Sequence, residues 1–425
     1  MKFDYGRKGL EIDLNPEWCI TVIPAKRQPA LKDPLKQIRN SIRNPIGSVP
    51  LQDIISQKKK IDQICIVVSD ATRPVPSQII LEAIISELKT YGITDNKILT
   101  LIATGLHRAS YEDEIIRILG YNLKNRIKYV DHHAYNNEDL KFLGTLEDGT
   151  PIYINNLYYE SDLKILTGYV EPHFFFGFSG GSKSIVPGIA GKSTIQANHS
   201  ARNIDSPFSR FGIYKNNSMV KASAEIANLV GVDFIINVCI NAKHEISNVA
   251  AGNLEAVHKE LINYQLKYIF EEISEPFDIV ISGNGGYPLD LNLYQAVKSM
   301  AIAEIAVKEG GTIISVNECS EGIGKGHDKF EELLFSNKSP SELYNKILQN
   351  EIVIPDQWEI QILARIMMKA EIYVVSSLNE TELGNIGLKY ANSIEDALHV
   401  SLLKHGKDAK VLMLPNGPQI IPKFK

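Results

Sequence analysis

Apolar positions along this chain change period in a way that alternates strands with helices. Ile64-Cys-Ile-Val-Val68 is an unbroken apolar run rich in β-branched residues, the pattern of a parallel strand buried on both faces. Residues 76–90 follow with apolar positions at helical spacing: Ile79, Ile80, Ala83, Ile84 and Leu88. The unit repeats as a strand over 98–104 and a helix from Ser110, with Glu112 and Glu114 in its first turn. Further strands are expected at 163–167 and 233–240, and a long helix over 254–270. The first 60 residues are mixed, with a short alternating run from Leu10 to Leu14 and an amphipathic helix over Pro34–Arg43.

Ile273-Ser-Glu-Pro276 interrupts two strongly periodic segments and reads as a domain boundary. The second half restarts the pattern with a strand at 278–282, a glycine-rich turn, a helix at 293–308 and a strand at 312–316. Helices near 331–335, Pro340–Leu348 and 358–369, a strand at 372–375 and a helix at Ile394–His405 complete it. The expected class is α/β: two domains with predominantly parallel sheets and a site in the cleft between them. Residues 1–274 form the first domain, completed by a returning strand within 408–425, and 275–407 form the second.

The unusual polar clusters sit just after predicted strands, where open α/β sheets bind ligands. Asp70-Ala-Thr-Arg73 places a carboxylate, a hydroxyl and a guanidinium in one turn, and arginine suits forked recognition of carboxylate or phosphate. A local Asp70–Arg73 pair that merely fixes the turn is the plainer alternative. Thr104-Gly-Leu-His107-Arg108 and Glu171-Pro-His173 end two other strands, so His107 and His173 could face one crevice. Gln295 and Lys298 are three apart on a predicted helix and share a face. The pair His132-His133 reads as a polar loop, and His244, His258, His327, His399 and His405 as surface positions.

Residues 171–200 concentrate the chemistry. His173, Lys183, Lys192 and His199 lie among five glycines, and Ser179-Gly-Gly-Ser182 reads as a loop that lets backbone amides approach an anion. It is no strict phosphate loop, because Val186 stands where the glycine before Gly191-Lys192 is required. Phe174-Phe-Phe-Gly-Phe178 is too apolar for a free surface loop and implies a buried wall beside a ligand. In such a setting the lysine and histidines should titrate below their usual ranges, which favours a neutral amine nucleophile and neutral imidazoles.

Composition narrows the classes. The chain has 425 residues, 44% hydrophobic and 22% charged, and no apolar run long enough to span a bilayer. The first residues carry no apolar signal core, so a cytoplasmic location is expected, without a membrane role. A net charge of −5 without a basic block argues against nucleic acid as a partner. Cys19, Cys65, Cys239 and Cys319 form no C-x-x-C pair and read as core thiols, so a bound metal would draw on histidine and a non-protein group.

Together, Ser69-Asp-Ala-Thr-Arg-Pro74, Thr104-Gly-Leu-His-Arg108, the 171–200 block, Asn284-Gly-Gly-Tyr-Pro-Leu-Asp290, Tyr294-Gln-Ala-Val-Lys298 and Ile354-Pro-Asp-Gln-Trp358 resemble the nickel-dependent lactate racemase family. The resemblance implies an isomerase that interconverts the D and L forms of a small 2-hydroxy acid, with lactate favoured over malate or a longer acid. It implies hydride transfer through a 2-keto acid, pyruvate for lactate, to a nickel pincer nucleotide, Ni(II)-pyridinium-3,5-bisthiocarboxylic acid mononucleotide. Lys183 matches the residue that tethers this group and His199 the nickel ligand; His107 and His173 match the two acid/base histidines. Asp70, Ala71, Thr72 and Arg73 match a cofactor-contacting turn, while Arg73, Tyr294, Gln295, Lys298 and Trp358 match the substrate site. Ser182 stands where the family more usually has a basic residue. The resemblance also implies partner proteins that build the cofactor and insert nickel. The reading from another class is a non-catalytic protein that only holds a nucleotide-like ligand.

Overall fold

The computed structural model describes residues 2–13, 15–16 and 18–425. Leu14, the end of the expected alternating run, lies outside the described residues. Two six-stranded sheets organise the chain. The first has the order Ile246–Gly252, Phe234–Ile240, Leu163–Tyr169, Ile64–Ser69, Ile98–Ala103, Lys128–Asp131, parallel throughout except for the Ile246–Gly252 edge. The unbroken apolar run at its centre has a direct explanation. Ile64, Ile66 and Val68 pack into one apolar layer with Ile80 and Ile84, while Cys65 and Val67 point into the layer on the opposite face. Alternate side chains of a strand leave opposite faces of the sheet, so a strand covered on both faces must be apolar at every position.

The second sheet, wholly parallel, has the order Lys389–Tyr390, Glu371–Val375, Val307–Val316, Phe277–Gly283, Val411–Leu414, Ile20–Val22. The run at 409–414, expected to return to the first domain, joins this second sheet instead. Val411–Leu414 pairs with Phe277–Gly283 and is itself covered by Ile20–Val22, so part of the N-terminal segment also belongs to the second sheet. Further on, Ile421–Phe424 does pair with Phe270–Ile273, inside the 1–274 range expected for the first domain. A short apolar strand carries no mark of which sheet it will join; only register and space beside an open edge decide that.

Several boundaries shift. The helix expected over 254–270 stops at Gln265, and the one over 293–308 stops at Ala306, where Val307 is already strand. The helix Ser218–Val230 and the hairpin of Leu140–Thr145 with Pro151–Asn155 had no counterpart in the pattern. Cys19 is exposed, and the other three cysteines are buried free thiols. Among the described residues, no helix is long and apolar enough to cross a membrane.

Register explains where a site can form. Ile64–Ser69 is flanked by Ile98–Ala103 on one side, with Ser69 opposite Ala103, and by Leu163–Tyr169 on the other. The three segments that leave these carboxyl ends therefore emerge side by side and diverge, opening a crevice at the point where strand order reverses. The second domain covers that crevice. Arg108 joins Glu114 of its own domain at 2.7 Å and Glu321 of the other at 3.1 Å. On the opposite flank Gln361 Nε2 donates to the Ala201 carbonyl at 2.9 Å, and the Tyr344 hydroxyl bonds Asp205.

Candidate functional site

The crevice between the domains is a cleft with about 970 Å³ of space not filled by atoms, part of it open to solvent. It is lined by Asp70, Arg73, His107, His173, Lys183, His199, Tyr294, Gln295, Lys298 and Trp358, residues spread across most of the chain. Ala71 and Thr72 instead face a smaller neighbouring cleft beside Arg108 and His327. The Ala71 carbonyl is taken by Arg117, and the Thr72 hydroxyl bridges Asp70 and Arg73.

At the end of Ile64–Ser69, Asp70 turns its carboxylate to His107 rather than to Arg73: Oδ2 lies 2.6 Å from His107 Nδ1, and Oδ1 accepts from the Thr72 hydroxyl at 2.8 Å. Burial alone would raise this carboxyl, but His107, Arg73 and the Thr72 hydroxyl outweigh it and hold Asp70 at about 2. An ionised Asp70 can only accept, so His107 donates from Nδ1 and keeps its Nε2 lone pair free. Burial pulls His107 below the usual imidazole range; Asp70 pulls it back up, and His327 and Arg73 oppose that.

His173 follows Leu163–Tyr169 into the phenylalanine run. The rings of Phe174, Phe175 and Phe176 lie 4.9, 4.6 and 6.2 Å from its own. Its Nδ1 accepts the Phe176 backbone N–H at 3.3 Å, so the neutral ring carries its proton on Nε2. Burial lowers His173 strongly, and Lys183, Lys298 and Arg73 lower it further.

The glycine-rich loop lies against the sheet so closely that no side chain would fit. A Cβ on Gly181 would meet His258 Nδ1 at 2.4 Å, and Gly180 and Gly181 have φ of 76° and 57°. His258 Nε2 donates to the Ser179 carbonyl at 2.8 Å, and the Gly181 amide donates to Asn237 Oδ1 at 2.9 Å. Lys183 leaves this clamped loop with its ammonium 4.5 Å from the Phe176 ring centre. Burial, then Arg73 and Lys298, lower its pKa well below the usual lysine range. His199 caps Lys192–Asn198 and points Nδ1 at the Ile195 carbonyl, 3.0 Å away. Burial beside Lys183 lowers it to about 3, so it is neutral with Nε2 unengaged.

From the second domain, Asn292 caps Leu293–Ala306 by accepting the Gln295 N–H at 2.9 Å. Gln295 Oε1 then receives Lys298 Nζ at 2.5 Å and Arg73 Nη1 at 3.4 Å, which spaces one cation from each domain around a shared oxygen. Among the described residues, Arg73, Lys183 and Lys298 make no ion pair, so three basic side chains are left unpaired in the cleft to meet anionic ligands. Tyr294 donates to Asp356 Oδ1 at 3.1 Å and accepts Trp358 Nε1 at 3.0 Å; the Trp358 ring lies 4.9 Å from His199.

Three expectations about histidine are corrected. His327 is buried, stacks on Tyr294 with ring centres 3.7 Å apart, and bonds Asp356 at 2.9 Å. His258 is buried under the lysine loop, and His132 is buried against the Ala190 carbonyl at 2.9 Å. The only sequence signal for His327 was the preceding Gly322-x-Gly324-x-Gly326 spacing. Asp356 and Glu359 also line the cleft: Asp356 lies within the Ile354–Trp358 motif but was assigned no role there, and Glu359 falls one residue beyond it.

Fold and site thus define a two-domain α/β protein with a cleft between domains that gathers histidines and unpaired basic side chains. Residues 5–212 match the lactate racemase N-terminal domain and residues 273–421 the lactate racemase C-terminal domain. The chain belongs to the lactate racemase family. A lactate racemase from Thermoanaerobacterium thermosaccharolyticum is 36% identical, over 100% of this chain and 99% of its own length. One from Lactiplantibacillus plantarum is 38% identical, over 91% of this chain and 90% of its own. The solved lactate racemase apoprotein from T. thermosaccharolyticum superposes with a TM-score of 0.90 at 35% identity, covering 99% of both chains. A Thermotoga maritima protein shares the fold at a TM-score of 0.71 and 17% identity, over 92% of this chain and 98% of its own.

Proposed function

We propose that this protein interconverts D- and L-lactate in the cleft between its domains. The observation that carries the reading is the meeting of His107 and His173, far apart in sequence, in one cleft with Arg73, Gln295 and Lys298.

Members of the family need a metal cofactor. Among the described residues, no group of three or more His, Cys, Asp or Glu side chains is placed to hold a metal ion. A metal carried by an organic group with its own donors asks the protein for less: a tether and one ligand. Lys183, with its depressed pKa, suits the tether, and neutral His199 with Nε2 unengaged suits the ligand. The unpaired basic side chains suit a mononucleotide phosphate. These residues fit a nickel pincer nucleotide attached at Lys183, with His199 on the nickel. When bound, that group supplies a hydride acceptor and donor, so the 2-hydroxy acid can pass through the planar 2-keto acid.

The chain's own residues handle charge, protons and water. Arg73 and Lys298 hold the substrate carboxylate, with Gln295 fixing their spacing. His107 Nε2 is placed to take the hydroxyl proton in one substrate orientation; His173 serves the other after its ring proton moves from Nε2 to Nδ1, which gives up the bond from the Phe176 amide. Tyr294, Trp358 and the phenylalanine run keep water out of the cleft and present an apolar wall to a short side chain.

The test uses protein made in a host that builds the cofactor. Chiral chromatography should show either lactate enantiomer approaching an equal mixture. Intact mass should show an adduct that Lys183→Ala removes and His199→Ala retains, with nickel lost from the latter. Loaded protein that leaves lactate untouched sinks the racemase reading, and an adduct persisting on Lys183→Ala sinks the tether.

A further inference from the structure

Two pairs of aspartate and histidine meet at the boundary between the domains. In the first domain Asp70 holds His107; in the second, Asp356 Oδ2 lies 2.9 Å from His327 Nδ1. The two imidazoles touch edge to face, with ring centres 5.5 Å apart and planes at 78°. His327 and Asp356 are each 3% exposed. A buried pair of this kind seldom adds stability over apolar residues of the same volume, so stability alone does not account for its place beside His107.

The local backbone is arranged for this contact. His327 and Asp356 stand at the N-caps of the helices Asp328–Leu334 and Gln357–Lys369, yet neither side chain caps its own helix. Asp356 has φ of 62°, a left-handed conformation that residues other than glycine seldom adopt. Its carboxylate accepts the Tyr294 hydroxyl at 3.1 Å as well as bonding His327, and the Tyr294 ring stacks on the His327 ring at 3.7 Å. The loop that brings in His327 docks on the turn that carries His107. Glu321 pairs with Arg108 at 3.1 Å, and a Cβ on Gly326 would lie 3.6 Å from the Arg108 amide nitrogen. His327 lines the smaller cleft and not the large one, so it touches His107 without facing the substrate space.

One hydrogen bond fixes one atom of an imidazole and leaves the ring free to tilt about that bond. Asp70 alone therefore sets the tautomer of His107 more firmly than the direction of its Nε2. The His327 ring, held by its own carboxylate and by Tyr294, limits that remaining freedom. Aim matters here because proton transfer requires the two heavy atoms to come within hydrogen-bond reach, and small misplacements cost rate.

We propose that His327 is a positioning residue for His107: its ring, anchored by Asp356 and Tyr294, completes from the second domain the orientation that Asp70 begins in the first. The proposal rests on the racemase reading and adds to it a residue outside the substrate cleft.

The experiment uses cofactor-loaded protein, with rates taken per nickel bound and folding checked by thermal melting. His327→Asn keeps a donor near the place of Nδ1 but removes the ring that meets His107. It should lower kcat for lactate by roughly tenfold or more while KM changes little. His327→Phe loses the bond to Asp356 but keeps a flat ring, and should retain more of kcat than His327→Asn. A folded His327→Asn protein with wild-type kcat overturns the proposal. So does a folded His327→Phe protein slower than His327→Asn, which would assign the role to the hydrogen bond instead. The double variant tests the route. On a His107→Ala background His327→Asn should cost almost nothing further, because no ring remains to be held. A loss as large as on the wild-type background would place its action elsewhere and overturn the proposal as well. Wild-type protein that does not racemise lactate would refute the racemase reading, whereas an active wild type with unresponsive variants refutes only the role of His327.

Discussion

On one wall of the cleft His107 is oriented by a carboxylate; on the other His173 is oriented by aromatic rings and a single backbone amide. The two imidazoles consequently carry opposite neutral tautomers. His107 leaves a lone pair on Nε2, while His173 leaves an N–H there. Asp70 also gives His107 a counter-charge for the protonated state, whereas His173 has Lys183, Lys298 and Arg73 around it and depends on anionic ligands to become charged. Two groups proposed for mirror-image roles are thus supported by different physics, one by a strong directed hydrogen bond and the other by packing.

The largest expected effect tests whether that difference matters for turnover. Replacing either His107 or His173 by alanine should reduce lactate racemisation by roughly 10² to 10⁴-fold, the range for a general acid–base group. Each loss should fall equally on kcat/KM in both directions, because the equilibrium constant between enantiomers in water is unity. A variant that slowed only one direction would contradict the assignment.

Next in size is the packing on the His173 side. Phe175 touches both His173 and His199 and is buried, so Phe175→Ala should lower unfolding stability by about 3–5 kcal/mol in denaturant titrations. A change of under about 1 kcal/mol would mean that the ring wall is not what holds His173.

The smallest effect concerns the carboxylate. Asp70→Asn should leave the fold intact and reduce turnover by on the order of 10²-fold, since an amide neither fixes the tautomer of His107 nor balances its charge. The same variant reports on pH. Asp70 is depressed to about 2, so its contribution to stability is fully present above about pH 4 and fades as pH falls toward 2. The difference in melting temperature between wild type and Asp70→Asn should therefore be largest near neutrality and shrink in acid. A difference that grew in acid would contradict the ionised Asp70 on which the comparison rests.

How much of this was legible beforehand depended on the kind of information. Strands buried on both faces announce themselves as unbroken β-branched runs, so Ile64–Ser69 and Ile98–Ala103 could be read directly. The clusters at their ends, Asp70 to Arg73 and Thr104 to Arg108, followed from the rule that α/β sheets bind ligands there. Family motifs supplied His173, Lys183, His199 and Lys298 by position. His327 and Glu359 lie outside those motifs, and Asp356, though inside the Ile354–Trp358 motif, was given no role by it. A buried histidine or carboxylate is chemically identical in sequence to an exposed one, and each of these lines the clefts only because another part of the chain folds over it.

By itself, then, the sequence determined the α/β alternation, the two-domain division and the residue types of the site, because period and local motif are properties of neighbouring positions. Tertiary structure decided which sheet receives Val411–Leu414 and Ile20–Val22, that Asp70 serves His107 rather than Arg73, and that His327 and Glu359 are interior. Those outcomes depend on which surfaces meet across hundreds of positions. Burial and partner choice, which set pKa and charge balance, are properties of that meeting rather than of any stretch of chain.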